Sequence, residues 1–153
     1  MKKLLIFITL TLNTSLNAAE KQSEARIAKF VMENIQKDYV NCYSFYKVAA
    51  ESFKKAGKEK NLIDGLERSA DAALKLNYDL GEIMGLNPKV MAQMTKDKVN
   101  EFVKLANKNF SSLAKEYGLM CKNLVENPEQ RTSYWETKGK KKYKWKKNFY
   151  IQN

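Results

Sequence analysis

The stretch from Ala25 to Ala56 constrains the fold of this chain more than any other. Apolar residues follow one another there at alternating steps of three and four: Ala25, Ala28, Met32, Ile35, Tyr39, Cys42, Tyr46, Ala49, Phe53 and Ala56. This spacing predicts one apolar face of a long helix. Four more apolar residues widen that face: Ile27, Val31, Tyr43 and Val48. The helix therefore needs more than one neighbour.

Capping signals set the expected ends of this helix and of the next one. Ser23 is a good N-cap residue and Gly57 a good C-terminal residue, so the first helix is expected between them. A second helix, antiparallel to the first, is expected to end at Gly85, and Asn87-Pro88 to start a third. Its predicted apolar face is Leu62, Leu66, Ser69, Ala73, Leu76, Leu80 and Ile83.

A third periodic segment runs from Pro88 to Asn127-Pro128, with the pattern Met91, Met94, Val99, Phe102, Ala106, Phe110, Leu113, Tyr117, Cys121 and Leu124. A break near Asn107–Asn109, or one at Gly118, would divide it, so one helix and two helices are both open. A short terminal helix carrying Tyr134 and Trp135 is expected to fold back on the bundle. The predicted fold class is all-α: a small antiparallel helical bundle of three long or four helices.

The chain has only two cysteines, Cys42 and Cys121, each on the apolar side of its own helix, and we expect them to form one disulfide. A straight third helix would carry Cys121 about 23 residues past Cys42, or roughly 35 Å. A reversal near Asn107 brings the two cysteines to a similar level. A disulfide within one chain therefore favours four helices.

The first 19 residues, MKKLLIFITLTLNTSLNAA, have the pattern of a secretory signal peptide: two lysines, a short apolar run and small residues at the end. The apolar run is about nine residues long, against roughly 20 for a spanning helix, so no transmembrane anchor is expected. Cleavage is expected after Ala18 or Ala19. The predicted location is the periplasm or the exterior of the cell.

The formal charge of +11 is concentrated near the C-terminus. Residues 20–137, the expected bundle domain, carry 19 basic and 17 acidic groups, while residues 138–153 carry seven lysines. This distribution argues against a nucleic-acid-binding domain. We expect residues 138–153 to form a flexible basic, aromatic tail, too charged to pack, that contacts anionic surfaces. Its candidate binding residues are Lys138, Lys140, Lys141, Lys142, Lys144, Trp145, Lys146 and Lys147.

The chain contains no histidine. This excludes Ser-His-Asp and Cys-His catalysis, most zinc sites, di-iron bundle motifs and a histidine haem ligand. No phosphate-binding glycine loop and no metal-type cysteine spacing is present. We therefore predict no catalytic residues, no metal and no cofactor. The remaining catalytic alternative is a small carboxylate-based hydrolase acting on an envelope polymer.

The sequence favours an exported, non-catalytic helical bundle that binds another envelope or extracellular component, in the manner of an inhibitor, immunity factor or adaptor. The expected partner is a protein or an anionic envelope polymer, with peripheral membrane-surface contact through the tail. Either the tail or an apolar groove would supply the contact.

Overall fold

A computed structural model describes the backbone of residues 2–143 and the side chains of residues 20–143. It contains four helices: α1 (Lys2–Lys55), α2 (Lys60–Ile83), α3 (Pro88–Glu126) and α4 (Pro128–Tyr143). Residues 2–143 contain no strand, and the all-α prediction is confirmed. No helix among the described residues combines the length and the apolar character needed to cross a bilayer.

The turns between the first three helices form where the sequence predicts them. Gly57 and Gly85 have φ angles of +64° and +67°, which favour glycine because it lacks a Cβ atom. Asn87 is the N-cap of α3, and its Oδ1 accepts a hydrogen bond from the Lys89 N–H at 2.9 Å. These two turns make α1, α2 and the start of α3 successive antiparallel neighbours.

The predicted start of the first helix after Ser23 is wrong. α1 is continuous from Lys2 through Ser23, because neither proline nor glycine interrupts residues 2–55. The Ser23 hydroxyl does not cap α1. It donates instead to the carbonyl oxygen of Tyr143 at 3.0 Å.

The predicted break in the third segment is confirmed at Asn109, which has non-helical φ and ψ angles of −163° and 93°. The rings of Phe102 and Tyr117 lie 4.6 Å apart between centroids, although 15 residues of straight helix would separate them by about 22 Å. The chain therefore reverses, and α3 consists of two antiparallel arms, residues 88–108 and 110–126. Asn109 caps the second arm by accepting from the Ser112 N–H at 3.0 Å.

The predicted disulfide between Cys42 and Cys121 is present, with the two Cα atoms 5.2 Å apart. Both residues are fully buried. The bond joins α1 to the second arm of α3 across 79 residues of sequence. In the chain-entropy account, closing a loop of this length contributes about 4 kcal/mol to stability.

The buried face of α2 is shifted from the predicted one. It consists of Ile63, Ala70, Ala73, Asn77 and Gly81. Of the predicted residues, Leu62 and Leu76 are exposed, and Ile83 is 74% exposed. Small side chains let α2 approach closely, and the Met91 thioether occupies the space that a side chain at Gly81 would need. Steric fit therefore outweighs the burial of leucine here.

Two regions follow from this arrangement. In the bundle region, α1 from residue 33 to Lys55 packs against α2 and both arms of α3. In the stem, α4 runs antiparallel to α1 and packs against α1 residues 20–32, and Asp38, where the two regions meet, anchors the upper end of α4. The terminal helix was expected to fold back on the bundle. It packs against α1 with Trp135 on the buried core, and it continues along the stem so that Tyr143 lies beside Ser23.

Candidate functional site

The first four of the predicted binding lysines lie on α4. The local sequence explains why this helix forms. Asn127 ends α3, Pro128 supplies the fixed φ angle of a helix start, and the Gln130 N–H bonds to the Asn127 carbonyl at 3.1 Å. Glu129 lies in the first turn and Lys140, Lys141 and Lys142 in the last. This order places each charge at the favourable end of the helix dipole.

Asp38 of α1 anchors the first turns of α4. Its carboxylate accepts from Arg131 twice, from Nε at 2.7 Å and from Nη2 at 3.1 Å, and from the Trp135 Nε1 at 2.6 Å. Asp38 is only 4% exposed. A buried carboxylate is tolerated because three donors replace its water.

Aromatic contacts extend the anchor on both sides of Arg131. Its guanidinium carbon lies 4.5 Å from the Tyr134 ring centroid and 5.0 Å from that of Trp135. The Trp135 ring meets Phe30 of α1 edge to face, with centroids 5.9 Å apart. These contacts fix the rotation of α4 about its own axis, and so decide which of its residues face outward.

The chain was expected to be too charged to pack beyond Thr137, and for residues 138–143 this is wrong. Gly139 is buried, and a Cβ atom at that position would lie 3.1 Å from Ile27 Cγ2 and 3.2 Å from Phe30 Cδ1. Tyr143 packs edge to face on Phe30 with centroids 5.9 Å apart. The glycine lets α4 lie against α1, because it has no side chain to occupy the space beside Ile27 and Phe30.

The structure brings four of the eight candidate binding residues onto one helix. Lys138 Nζ lies 5.4 Å from the Tyr134 ring centroid, and Lys140 Nζ lies 3.8 Å from Glu136 Oε2. Lys142 Nζ lies 4.9 Å from the Phe30 centroid and 5.3 Å from that of Tyr143. Lys141 is exposed like the other three. The remaining candidates, Lys144, Trp145, Lys146 and Lys147, lie outside the described residues.

Two grooves accompany α4 and are candidates for the apolar contact considered from the sequence. One, of about 460 Å³, lies between α3 and α4 and includes Leu119, which is 69% exposed, together with Met120 and Tyr134. The other, of about 380 Å³, lies between α1 and α4 in the stem. We refer to the second as the stem groove.

Two carboxylates of the α3 hairpin influence the titration of the Tyr117 hydroxyl. Burial raises the pKa of Tyr117 to about 12, with further contributions from a hydrogen bond to Glu116 and from the negative charges of Glu116 and Glu101. Both glutamates are exposed, and Glu101 pairs with Lys98 at 2.6 Å. Glu101 and Glu116 are therefore solvated charges of the kind expected on polar helix faces.

Asp38 and Arg131 are the important residues that sequence reasoning missed. A signal for Asp38 was present, because it lies three residues after Ile35 and four before Cys42, inside the apolar face of α1. Arg131 is one of only 3 arginines beside 25 lysines. Arginine suits bidentate pairing with a buried carboxylate better than lysine does.

No protein-family model, curated protein or solved structure matches this chain.

Proposed function

We propose that this chain is an exported, non-catalytic helical bundle that binds an anionic component of the envelope or of the extracellular space. Its role would be that of an inhibitor, immunity factor or adaptor. The contact is the basic face, defined as Lys138, Lys140, Lys141 and Lys142 of α4. The supporting observation is that these four exposed lysines share a helix whose opposite side is fixed to α1 by Asp38, Ile27 and Phe30.

A fixed helix makes the basic face a better binding surface than a flexible tail of the same composition. Four ammonium groups held on one helix lose less conformational entropy on binding than four on a mobile chain. Each lysine near an anionic surface contributes about 1 kcal/mol. Lys144, Lys146 and Lys147, which follow directly in sequence, would extend the same charge.

The disulfide supports the exported location. Bonds of this kind persist mainly in the periplasm, the secretory pathway and the exterior of the cell. The expected exported form begins at Ala19 or Glu20. Intact-mass measurement on protein from its native compartment tests this, and a mass that includes Met1 to Ala18 would contradict it.

The binding test compares two quadruple variants in sedimentation with vesicles of mixed phosphatidylglycerol and phosphatidylcholine. The first replaces the basic face: Lys138→Gln, Lys140→Gln, Lys141→Gln and Lys142→Gln. The control replaces four exposed lysines of α3: Lys96→Gln, Lys104→Gln, Lys108→Gln and Lys115→Gln. Both lower the net charge equally, so they separate a local contact from a general charge effect.

We expect the first variant to lose more than tenfold in vesicle affinity at low salt, since four lysines at about 1 kcal/mol each exceed the 1.4 kcal/mol of a tenfold change. The control should lose much less. Binding of the parent should weaken as salt rises, because exposed charges are screened over about 8 Å at physiological ionic strength. Equal losses in both variants, or none in either, would contradict the proposed contact.

The partner is then sought in envelope extract with the parent and the first variant as matched baits. Deleting residues 138–153 is a poorer design, because it removes Gly139 and Tyr143 and with them the packing of α4 on α1. Glutamine substitution keeps the helix and removes only the charges.

A further inference from the structure

The stem groove has an apolar lining that no described residue covers. Four of its lining residues belong to the apolar side of α1: Ile27, Ala28, Val31 and Met32. Glu24, Glu136 and Lys140 complete it. The groove therefore combines a hydrophobic surface with two carboxylates and one ammonium group.

The groove is open because the helices that cover α1 in the bundle region stop short of the stem. Phe102 lies opposite Tyr117 in the α3 hairpin, and Cys121 is bonded to Cys42. By this register the first residues of α3 reach down α1 only to about the level of Met32. The apolar spacing of α1 continues below that level to Ala28 and Ala25, which are exposed.

We propose that the C-terminal residues 144–153 of this same chain cover the stem groove, with Phe149, Tyr150 and Ile151 on its apolar lining. α4 ends at Tyr143, and its carbonyl oxygen accepts from Ser23, the residue next to Glu24. The last ten residues therefore begin at the lower end of the groove.

The length of this segment is sufficient. From Glu24 to Met32 the groove extends about 12 Å along α1, at 1.5 Å per residue. Ten residues reach about 33 Å when extended. Residues 144–148 can therefore reverse the chain direction, and the last five still cover the groove.

The composition of the segment also matches the groove. Phe149, Tyr150 and Ile151 supply a contiguous apolar group at the end of the chain. Lys144, Lys146 and Lys147 precede it, and two carboxylates line the groove against one ammonium group. Opposite charges at the edge of an apolar contact favour one orientation over others. Docking here covers Lys140 but leaves Lys138, Lys141 and Lys142 of the basic face exposed, so this inference does not depend on the proposed function.

NMR on the full chain with labelled methionine and isoleucine methyl groups tests the inference. We expect a nuclear Overhauser cross-peak between the Met32 methyl and the ring protons of Phe149 or Tyr150. The double variant Phe149→Ser, Tyr150→Ser should remove the cross-peak and shift the Met32 and Ile27 methyl signals. Met94, an exposed methionine of α3, is the control whose signal should stay in place.

A second variant tests the groove from the other side. Ala28→Glu adds a carboxylate to the exposed lining without removing a buried contact, and it should release the aromatic rings of the segment. Their signals should then match those of a free peptide of residues 144–153. The inference is overturned if the parent shows no cross-peak, or if the methyl signals of the parent and the double variant coincide. Methyl signals that change with protein concentration would also overturn it, because they would show a second copy in the groove.

Discussion

The bundle region and the stem share one helix, but they hold it by different means. In the bundle region α1 is buried on nearly every side between residues 35 and 50. In the stem the same helix buries one side, and Ala25 and Ala28 are exposed despite continuing the same apolar spacing. Apolar periodicity therefore indicates which face of a helix can be buried. Whether it is buried depends on the lengths of the neighbouring helices.

The interactions differ along with the burial. The bundle region depends on close packing of small residues in α2, on aromatic contacts across the α3 hairpin and on the disulfide. The stem depends on a buried carboxylate with three donors and on one hydrogen bond at its far end. We therefore expect damage to the bundle region to lower global stability, and damage to the stem to open it locally.

The largest expected effect comes from removing the disulfide with Cys42→Ala and Cys121→Ala together. The free energy of unfolding in urea should fall by about 4 kcal/mol, because the unfolded chain regains the entropy of a long loop. Wild-type protein kept in a reducing agent should behave like the double variant. Non-reducing peptide mapping of the parent should show one crosslinked pair within a single chain. A loss below about 1 kcal/mol would show that the bond does not restrain the bundle region.

The second-largest expected effect is a local destabilisation of the stem by the variant Asp38→Asn. Loss of the charge weakens the hydrogen bonds from Arg131 and Trp135, and we expect about 2 kcal/mol of local destabilisation. Hydrogen exchange should show faster exchange of the α4 amides and unchanged exchange in α2. Asp97→Asn is the matched control, because Asp97 is exposed and accepts a hydrogen bond from Gln93 of its own helix. Equal acceleration in α2 and α4 would show that the stem does not open independently.

A glycine-to-alanine pair compares the two regions with one chemical change. Gly118→Ala in the bundle region places a Cβ 3.7 Å from Phe45 Cζ, an ordinary contact, so helix propensity should raise stability by about 1 kcal/mol. Gly139→Ala in the stem places it 3.1 Å from the branched side chain of Ile27, and this crowding should cancel the gain. Thermal unfolding of both variants measures the difference. Equal gains would mean that α4 lies less closely against α1 than the structure shows.

The smallest effect is a pH dependence confined to the bundle region. Burial, followed by Glu116 and Glu101, raises the pKa of Tyr117 to about 12 in the folded chain. Above about pH 10 the unfolded chain ionises this phenol and the folded chain does not, so its contribution to stability is complete below pH 10 and is lost as pH rises toward 12. Absorbance titration should show a late-titrating phase to which Tyr39 and Tyr46 also contribute, because burial raises the pKa values of these two tyrosines as well. Tyr117→Phe should reduce the amplitude of that phase.

Much of the fold was predictable because its signals are local. Gly57, Gly85 and Asn87-Pro88 mark their turns through backbone geometry and capping, which depend only on neighbouring residues. The break near Asn109 and the pairing of Cys42 with Cys121 support each other, since straight helices would hold the cysteines apart.

The face of α2 and the contacts of α4 were not predictable in the same way. The face of α2 depends on how closely Ala70, Ala73 and Gly81 let their neighbours approach, and apolar spacing contains no such information. Asp38 lies visibly within an apolar face, but its partner Arg131 is 93 residues away. The pairing of Arg131 with Asp38 can be identified only from the direction in which α4 runs relative to α1.

The hydrogen bond from Ser23 to Tyr143 joins α1 and α4 at the lower end of the stem, and this geometry determines how the protein would respond to mechanical load. Tension applied between residues 20 and 143 would separate α4 from α1 one contact at a time, beginning at the hydrogen bond between Ser23 and Tyr143. The separation would then reach Cys42 and Cys121, where the disulfide bond transmits the force directly from α1 to the second arm of α3. Residues 43–120, which contain α2 and the α3 hairpin, lie outside that path and would remain folded under a pull that separates the stem.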